Sequence, residues 1–428
     1  MNYSEAIQYL YTKAPMFSRI GKSAYKNNLD NTWALNKYFN EPHTHYKTIH
    51  IAGTNGKGSV AHTLASVLHE AGYSVGLYTS PHIKDFRERI KINGLQISEE
   101  EVIQFIEQHK FIIEKIQPSF FEIITMMAFD YFARQKVDVA VIETGLGGRL
   151  DSTNIINPVL SIITNIGWDH TDLLGDSLKK IATEKAGIIK KQIPVVVGEH
   201  QNETDKIFIE KAIQCNTECF FAEDTYIINN VFATQNNFLQ FDILKDGKEY
   251  LPALKFQLLG KCQEKNIITI LKSIDLLNEM GVEISEHHIY RGCKNVIDST
   301  GLLGRWQIIQ RKPLVICDIG HNKPALEWNM KQLGEIKKNN LFFILGFMKD
   351  KDIPSMLTLL PVDAFYYFVQ ADIPRAIPAK ELYDIATTFS LKGKVVPSVK
   401  EAYSMALSQA DVNDVIYIGG STYIVAEI

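Results

Sequence analysis

Cysteine is scarce in this sequence, with five residues among 428. An odd count and a wide scatter along the chain do not fit a disulfide framework. Cys215 and Cys219 lack a second ligand pair at zinc spacing, which argues against a structural zinc site. We therefore expect reduced structural thiols at all five positions, which are Cys215, Cys219, Cys262, Cys293 and Cys317.

The sequence also lacks a long apolar run and an excess of charge. No apolar stretch approaches the ~20 residues of a membrane span, and the first residues, MNYSEAIQYLYTKAP, lack the pattern of a secretory signal. The 45 basic and 49 acidic residues leave a formal charge of -4, too weak to attract nucleic acid or an anionic membrane. We expect a cytoplasmic monomer with no nucleic-acid or membrane partner.

The chain does contain a regular alternation of short β-branched or aromatic runs with helical patterns. This alternation is typical of βα units on a mainly parallel sheet, and it predicts the α/β fold class. Nearly continuous apolar strands fit burial on both faces of such a sheet. In the first half, strands are predicted at 48–52, 74–79, 137–143, 160–165 and 194–197, and helices after Gly58 and from Glu99, Phe121 and Ser177.

The pattern changes between residues 224 and 259, where hydrophobic residues alternate and Asn, Asp and Gly recur. This texture predicts a small antiparallel β region with a turn at 245–247. A helix is predicted over 262–280 and ends at Gly281, which accepts a left-handed backbone. A shorter helix is predicted over 286–293.

After residue 297 the βα alternation starts afresh. A length of 428 residues fits two or three domains, at roughly 100 to 200 residues each. We predict a larger domain over 1–297 and a smaller, Rossmann-like α/β domain over 298–428. Strands of the second domain are predicted at 313–317, 341–345, 364–369 and 415–418.

A glycine-rich turn joins the first predicted strand to an amphipathic helix, in the segment TIHIAGTNGKGSVAHTLASVLHEAG. Gly53, Gly56 and Gly58 let backbone N–H groups approach a polyphosphate, and the helix N-terminus adds partial positive charge. Lys57 supplies a cation for the outer phosphates. The loop predicts that the first domain is of the phosphate-loop ATPase type. Its predicted nucleotide contacts are Thr54, Asn55, Gly56, Lys57, Gly58 and Ser59.

This loop departs from the common pattern G-x-x-x-x-G-K-[ST]. Position 51 is isoleucine, and Gly58 follows Lys57 where the common pattern has Ser or Thr. A glycine turn without a ligand is the plain alternative, and kinases and GTPases are competing nucleotide-binding classes. The run Asn-Gly-Lys-Gly-Ser at a helix start favours phosphate binding, because it meets several requirements at once.

The form GTNGKGS resembles the loop of the Mur ligase superfamily, and further stretches resemble folylpolyglutamate synthase and bifunctional dihydrofolate synthase. These stretches occur in order across nearly the whole chain. In the first domain they are HIAGTNGKGS from His50, YTSPHIKDFRERIKING from Tyr78, FFEIITMMAF from Phe120, ETGLGGRLDSTN from Glu143 and ITNIGWDHTDLLGDSLKKIATEKAGIIK from Ile163. In the second they are GRW from Gly304, DIGHN from Asp318 and GGSTYIVAEI at the C-terminus.

The resemblance implies an ATP-dependent ligase. Such an enzyme phosphorylates a carboxylate with ATP, and the amine of a second substrate attacks the acyl phosphate to give an amide, ADP and phosphate. The implied partners are dihydropteroate or a reduced folate, L-glutamate and ATP. The implied cofactors are ATP and two magnesium ions, with a monovalent cation as a further candidate.

The resemblance also implies the metal and catalytic residues of the first domain. Glu143 ends an apolar strand at the sheet edge that carries ligands, so it can point at magnesium beside the phosphate loop. Ser80 matches a further metal or phosphate contact, and Ser59 of the loop could orient a magnesium ion or a phosphate. His170 matches the second metal ligand, with a structural histidine as the alternative. Lys185 in Thr-Glu-Lys-Ala-Gly matches a lysine often carried as a carbamate, an anion that can hold metal-bound water. An ordinary helical lysine is the alternative there.

The second domain is expected to close the site. Asp318 and His321 match residues that approach the nucleotide and its reactive phosphate, and Arg305 can neutralise the transferred phosphoryl group. His321 is also the candidate acceptor for the amine proton. Asn266 matches an adenine contact, although Cys262 stands where relatives usually have histidine. The predicted catalytic residues are thus Lys57, Glu143, His170, Lys185 and His321.

The substrate contacts implied by the resemblance lie in three stretches of the first domain. Phe121 resembles a position lining the pterin pocket, where an aromatic face stacks on a flat heterocycle, and core packing is the alternative. Arg149, Asp151 and, in the Ser-Pro-His loop, His82 complete the predicted set. Arg87 and Arg89 could pair with carboxylates of the folate or glutamate, or face solvent.

Two other functions stay open on the sequence. A Mur-type ligase acting on peptidoglycan precursors shares the loop, but the Ser-Pro-His and ETGLGGRLDSTN stretches count against it. A phosphate-loop kinase would release a phosphorylated product and need no amine substrate. A degenerate nucleotide binder should have lost Lys57, Glu143 or His170, and all three are present.

Overall fold

The computed structural model describes residues 1–14, 28–234 and 236–428, and it divides into two compact units. The chain crosses for the last time from the first unit to the second between Leu302 and Leu303, whereas the sequence placed the division at 297/298. Two short earlier segments also belong to the second unit. The first unit comprises Met1–Gly167, Thr171–Gln257 and Gln263–Leu302, and the second Trp168–His170, Leu258–Cys262 and Leu303–Ile428.

The first unit is built on an eight-stranded sheet with the order β4-β3-β2-β5-β1-β6-β7-β8. Strand β1 lies between β5 and β6 and pairs with both in parallel, and only its first residue is exposed. Central parallel strands present their carboxyl ends at one edge, where ligands bind. The strands are β1 (Lys47–Ala52), β2 (Val75–Tyr78), β3 (Ile90–Ile92), β4 (Leu95–Gln96), β5 (Val139–Glu143), β6 (Leu160–Ile163), β7 (Val195–Val197) and β8 (Cys219–Phe221).

Helices pack against this sheet. They are α1 (Tyr3–Lys13), α2 (Asp30–Tyr38), α3 (Lys57–Glu70), α4 (Glu99–Ile116), α5 (Phe120–Arg134), α6 (Thr171–Leu174), α7 (Leu178–Ala186), α8 (Asp205–Gln214), α9 (Ala222–Thr225), α10 (Gln263–Glu279), α11 (Glu286–Lys294) and α12 (Val296–Thr300). Helix α5 begins where Ser119 and Glu122 form a capping box, which satisfies backbone N–H groups at its first turn. Helix α3 is buried from Gly58 to Leu68, so its N-terminus is held firmly in the unit.

A three-stranded antiparallel sheet follows α9 and confirms the predicted β region. Its order is β11-β10-β9, with β9 (Tyr226–Ala233), β10 (Leu239–Lys245) and β11 (Lys248–Phe256). Asp246 and Gly247 form the tight turn with positive φ angles of 51° and 74°. Asp and Gly at these positions are typical of two-residue hairpin turns.

The second unit contains a six-stranded sheet with the order β12-β13-β17-β14-β15-β16. The strands are β12 (Gln307–Arg311), β13 (Leu314–Asp318), β14 (Leu341–Leu345), β15 (Phe365–Phe368), β16 (Lys392–Val395) and β17 (Val415–Gly419). The helices are α13 (Lys323–Glu335), α14 (Ile353–Leu357), α15 (Ala379–Thr388), α16 (Val399–Gln409) and α17 (Thr422–Ala426). Stacked aromatic rings, such as Phe343 on Tyr366 at 4.8 Å, fill its core.

The predicted α/β class, with a mainly parallel sheet, a small antiparallel β region and a second α/β sheet, is confirmed. The strands that the sequence did not predict lie mainly at sheet edges. Strands β4, β8, β12 and β16 each form the outer edge of a parallel or mixed sheet. Edge strands are short and partly polar, so their sequence lacks the continuous apolar signal of central strands. None of the described helices combines the length and apolar character needed to cross a bilayer.

Candidate active site

The loop between β1 and α3 requires glycine at two positions. A Cβ atom on Gly53 would lie 1.8 Å from Oγ1 of Thr164, and one on Gly56 would lie 2.3 Å from Oδ1 of Asn266. Gly56 is also the N-cap of α3, with φ of 84°, and no side chain caps that helix. The first N–H groups of α3 are therefore not satisfied by a capping side chain, which leaves a helix N-terminus suited to an anion.

The first half of this loop is fixed by the segment that follows β6. The Thr54 amide donates to the carbonyl of Asn165 at 3.0 Å, and the Asn55 amide donates to the Asn165 side chain at 2.9 Å. The Thr54 hydroxyl accepts from the Gly167 amide at 2.9 Å. The amides of Thr54 and Asn55 thus hold the shape of the loop, and the nucleotide contacts expected along residues 54–59 stay a prediction.

Two lysines donate to the same loop carbonyl. Lys57 Nζ lies 3.0 Å from the Gly53 oxygen and 3.2 Å from the Thr54 oxygen. Lys185 Nζ, from α7, lies 2.8 Å from the Gly53 oxygen. Lys185 is only 4% exposed. The structure therefore brings together two predicted catalytic lysines, and their charges favour a polyphosphate beside the loop.

Glu143 and Ser80, two of the predicted metal contacts, lie close together. Glu143 ends β5 and is buried, and its Oε2 accepts from the Ser80 amide at 3.1 Å. Ser59, in the first turn of α3, is buried as well. A carboxylate and two serine hydroxyls are hard oxygen donors, which are the ligands that Mg²⁺ prefers in proteins.

Helix α10 adds a polar contact that the sequence did not predict. Gln263 Nε2 donates to the Ser59 hydroxyl at 3.2 Å, and Gln263 Oε1 accepts from Asn266 Nδ2 at 2.8 Å. Asn266, the predicted adenine contact, thus lies against Gly56 and connects to Ser59 through Gln263. The only sequence signal was that Gln263 and Asn266 are three residues apart, on one face of a helix.

His82 is paired with a buried arginine. Arg89 Nε donates to His82 Nδ1 at 2.7 Å, and the Arg89 guanidinium lies 5.5 Å from the centre of the Phe120 ring. Because an arginine N–H can only donate, Nδ1 carries no proton and the ring proton is on Nε2. Burial, and next the charge of Arg89, lowers the pKa of His82 to about 3. His82 is therefore a neutral imidazole.

Phe121 lies against the loop that follows Glu143. A Cβ atom on Gly145 would be 2.5 Å from the tip of the Phe121 ring, and the Tyr78 ring centre lies 5.9 Å from that of Phe121. In the same loop, Arg149 pairs with Glu184 at 2.8 Å, with 53% of the Arg149 side chain exposed. Phe121 is thus placed to offer an aromatic face, and Arg149 lies at the protein surface.

Asp151 forms hydrogen bonds within the loop that follows Glu143. Its Oδ1 accepts from the amide and hydroxyl of Thr153 at 3.0 and 2.6 Å, and its Oδ2 accepts from the Leu146 amide at 2.8 Å. Asp151 is 4% exposed, and burial raises the pKa of its carboxyl. The predicted substrate contact therefore uses its oxygens to fold the loop.

In the second unit, Asp318 is a hub of backbone and side-chain hydrogen bonds. Its Oδ2 accepts from the Trp306 amide at 2.8 Å. Its Oδ1 accepts from the Gly320 amide at 2.7 Å and from Asn329 Nδ2 at 2.8 Å. The neighbouring Arg305 is partly exposed. Asp318 thus fixes the turn that carries Arg305 and the turn that leads to His321.

A second carboxylate of this unit, Asp169, was not predicted. It accepts from Lys351 Nζ at 2.5 Å and from Asn322 Nδ2 at 3.0 Å, and His321 Nε2 lies 3.4 Å away. Although burial favours the neutral acid, His170, His321 and Lys351 hold the pKa of Asp169 well below its usual range. The only sequence signal was that Asp169 directly precedes His170.

His170 and His321 lie beside this carboxylate. One ligand atom from each of Asp169, His170 and His321 lies within 4.8 Å of the others. His170 has a left-handed backbone, with φ of 49°, a conformation that costs a non-glycine residue about 1 kcal/mol or more. His321 Nδ1 lies 3.0 Å from the Ile319 carbonyl oxygen. Because His170 belongs to the second unit and Glu143 to the first, their predicted shared metal site stays a prediction.

Comparisons with known proteins identify two matching family models. The model described as the Mur ligase middle domain matches residues 51–272. The model described as the Mur ligase glutamate ligase domain matches residues 304–422. Both matches lie within the domains that the sequence predicted.

Known relatives are similar over most of the chain. The dihydrofolate synthase/folylpolyglutamate synthase of Bacillus subtilis is 35% identical over 399 residues, covering 90% of each chain. The Escherichia coli protein of the same name is 31% identical over 389 residues, covering 88% of this chain and 85% of that one. The solved structure of E. coli FolC in complex with DHPP and ADP has a TM-score of 0.85 at 28% identity, covering 100% of this chain and 96% of that one.

Proposed function

The chain belongs to the dihydrofolate synthase/folylpolyglutamate synthase family of Mur ligases, and from that premise we propose that it ligates L-glutamate to a folate or pteroate carboxylate. ATP would phosphorylate the carboxylate, and the glutamate amine would displace phosphate from the acyl phosphate. The products are an amide, ADP and phosphate. We propose that the reaction takes place in the cytoplasm on a monomeric enzyme.

One observation carries this proposal. The ammonium groups of Lys57 and Lys185 both contact the Gly53 carbonyl, next to the uncapped N-terminus of α3. The Lys57 ammonium and the helix N-terminus stabilise the triphosphate, and they favour the charge that develops as the γ-phosphoryl group transfers. The related E. coli FolC was solved with ADP, which supports ATP as the phosphoryl donor for this chain.

We propose that magnesium is held by Ser59, Ser80 and Glu143. Glu143 is a buried carboxylate whose Oε2 accepts from the Ser80 amide, and a divalent cation would balance its charge. When bound, magnesium neutralises the repulsion between the substrate carboxylate and the γ-phosphate. The chain's own contribution is to keep these oxygens after β2, at the end of β5 and in the first turn of α3, where their positions are fixed by packing.

Lys185 is the proposed site of carbamylation. Its side chain is buried and lies against the phosphate loop. As an ammonium, Lys185 would attract the phosphates. As a carbamate, it would instead provide an anion for a metal ion or its water. His170 is the proposed partner for that second metal ion.

In the second unit, Arg305, Asp318 and His321 are the proposed contacts to the nucleotide and the reacting phosphate. Asp318 contributes through the turns that it holds. His321 is the proposed acceptor of the amine proton, although its Nε2 faces Asp169 at 3.4 Å. To accept a proton, Nε2 must turn from that carboxylate toward the substrate. A pH profile of turnover that is unchanged in His321→Ala would contradict this role.

On the substrate side, we propose that Phe121 stacks on the pterin ring and that the Nε2–H group of His82 donates a hydrogen bond to the substrate. The neutral Nε2–H form of His82 is set by Arg89. Arg149 is proposed as a peripheral contact to substrate carboxylates. Asp151 is proposed to act by folding the loop beside Phe121.

The direct test is ADP release from ATP and L-glutamate, measured separately with dihydropteroate and with a tetrahydrofolate. We expect ADP formation that depends on both glutamate and at least one of the two pterin substrates, with mass spectrometry giving the number of glutamates added. ADP formation without any need for glutamate would instead identify a kinase. Activity with a UDP-MurNAc precursor and not with folates would identify another Mur-type ligase.

A further inference from the structure

A chain of buried polar side chains links the strand that carries the phosphate loop to the loop beside Phe121. His50, in β1, lies three positions before Gly53 and is fully buried. Its Nε2 lies 2.8 Å from the Thr153 hydroxyl, and that hydroxyl lies 2.6 Å from Asp151 Oδ1. Thr153 is also fully buried. No step of the proposed reaction uses either residue.

The direction of these hydrogen bonds follows from their donors. The amides of Thr153 and Leu146 both donate to Asp151, which marks its carboxylate as the acceptor. The Thr153 hydroxyl then donates a hydrogen bond to Asp151 Oδ1, and its oxygen accepts one from His50 Nε2–H. Burial, together with the charge of Lys190, lowers the pKa of His50 to about 3. His50 is therefore a neutral donor in a fixed tautomer.

At the buried position of His50, a histidine is less favourable for stability than an aliphatic residue would be. Its Nδ1 is buried and has no hydrogen-bond partner among the described residues. Its neighbours across the sheet, Ile142 on β5 and Ser161 on β6, have small or apolar side chains. A buried nitrogen without a partner is destabilising, so an aliphatic residue would suit this strand position better. The bond to Thr153 is the compensating feature.

This hydrogen-bond relay, from His50 through Thr153 to Asp151, ends on the backbone of the loop that follows Glu143. Asp151 Oδ2 accepts from the Leu146 amide, and Leu146 directly follows Gly145. Gly145 is the residue against which the Phe121 ring packs. The position of the Asp151 carboxylate thus sets the backbone that borders the aromatic face.

We propose that His50 and Thr153 are positioning residues for the pterin side of the site. Through Asp151 and the Leu146 amide they fix the loop backbone against which Phe121 lies, and so they set the affinity for the pterin-bearing substrate. They do not set the affinity for ATP, because no bond of this relay ends on the phosphate loop. This inference rests on the proposed function, since it assumes that Phe121 faces a pterin.

The test compares Thr153→Val, which has nearly the same shape but no hydroxyl, with Thr153→Ser, which keeps one. We expect Thr153→Val to raise KM for the pterin substrate about tenfold, the effect of about 1.4 kcal/mol. KM for ATP and kcat should stay within about twofold, and Thr153→Ser should lie within about threefold of the wild type. Equal rises in both KM values, or a serine variant as impaired as the valine variant, would contradict the proposal.

A second pair of variants guards against simple misfolding. His50→Leu removes the donor, whereas His50→Gln keeps an N–H group, so glutamine should restore part of the pterin affinity. In the double variant His50→Leu/Thr153→Val the effects should be less than additive, because both break the same relay. Full additivity would mean that the two residues act separately.

Ser273→Ala is the matched control. Ser273 is a buried hydroxyl in α10 that donates to the Thr269 carbonyl at 2.7 Å. Its loss should lower the thermal midpoint without moving either KM. If Ser273→Ala also raised the pterin KM selectively, the effect of Thr153→Val would be a general consequence of reduced stability, and the proposal would fall.

Direct binding separates this inference from the proposed function. Calorimetric titration of the wild type with dihydropteroate and with a tetrahydrofolate should give measurable affinity for at least one. If the wild type binds neither, the proposed function fails and the inference fails with it. If the wild type binds and Thr153→Val binds equally tightly, only the inference fails.

Discussion

The two units hold their candidate catalytic residues by different means. In the first unit, Lys57 and Lys185 contact a backbone carbonyl, and Glu143 accepts from a backbone amide. Glu143 ends a central strand of the sheet and Lys57 follows one, whereas Lys185 comes from α7. In the second unit, His170 and His321 lie around the side chain of Asp169, which Lys351 also contacts.

The difference shows that a recognisable motif residue can belong to the reactive site in one unit and stabilise the backbone in the other. In the first unit the motif residues Lys57 and Lys185 contact the phosphate loop directly. In the second unit Asp318, the most recognisable motif residue, is used to fold two turns, and the unpredicted Asp169 lies at the centre of the charged cluster. We therefore expect activity to be lost without loss of stability in the first unit, and both to change together at Asp318.

The largest effect is expected for Lys185→Ala. Turnover should fall at least about 10³-fold, because a buried charge beside the phosphates is removed. The thermal midpoint should change little, since Lys57 still donates to the Gly53 oxygen. Short carboxylic acids should restore part of the activity if the lysine works as a carbamate. Wild-type turnover in this variant would show that Lys185 is an ordinary helical lysine.

Lys57→Met should lower kcat/KM by about 10²- to 10³-fold, the usual cost of removing one preorganised donor at a transferring group. Steady-state kinetics with ATP varied would measure it. The matched control is Lys180→Met, because Lys180 lies on α7 in an exposed pair with Asp176. A loss of activity in both variants would point to general charge effects.

Asp318→Asn should destabilise the second unit by about 1–3 kcal/mol. The NH₂ group of the new asparagine would face an N–H donor at a position where a carboxylate oxygen of Asp318 accepts a hydrogen bond. Thermal unfolding followed by calorimetry should show a lower midpoint together with reduced activity. The exposed Asp372→Asn serves as a control and should leave both unchanged. Normal stability with lost activity would instead make Asp318 a direct catalytic contact.

The smallest effect is expected for Arg149→Ala. Arg149 pairs with Glu184 while half exposed, and such surface pairs contribute about 0–1 kcal/mol and weaken with salt. KM for the folate substrate should rise less than about fivefold, and the rise should shrink at high salt. A larger, salt-independent increase would place Arg149 in a buried contact with the substrate.

Much of the first unit could be predicted from sequence. Strand β1, the loop at Gly53 and the burial of Glu143 all followed from an apolar strand, a glycine run and a helix pattern in succession. Gln263 could not be predicted as a contact of Ser59, because 204 positions separate them. Such a contact depends on how α10 packs beside α3, and no local pattern encodes that.

The α/β class, the phosphate loop, the family resemblance and the residue types of the site all depend on local patterns of a few residues, so they could be predicted from the chain alone. The fold sets what each side chain contacts. It placed Lys185 on Gly53, turned Asp151 into the loop, assigned Asp169 to the second unit and joined His50 to Thr153 across 103 positions. Hydrogen bonds between residues distant in the chain form only when packing brings donor and acceptor within about 3 Å, and that distance is a property of the fold.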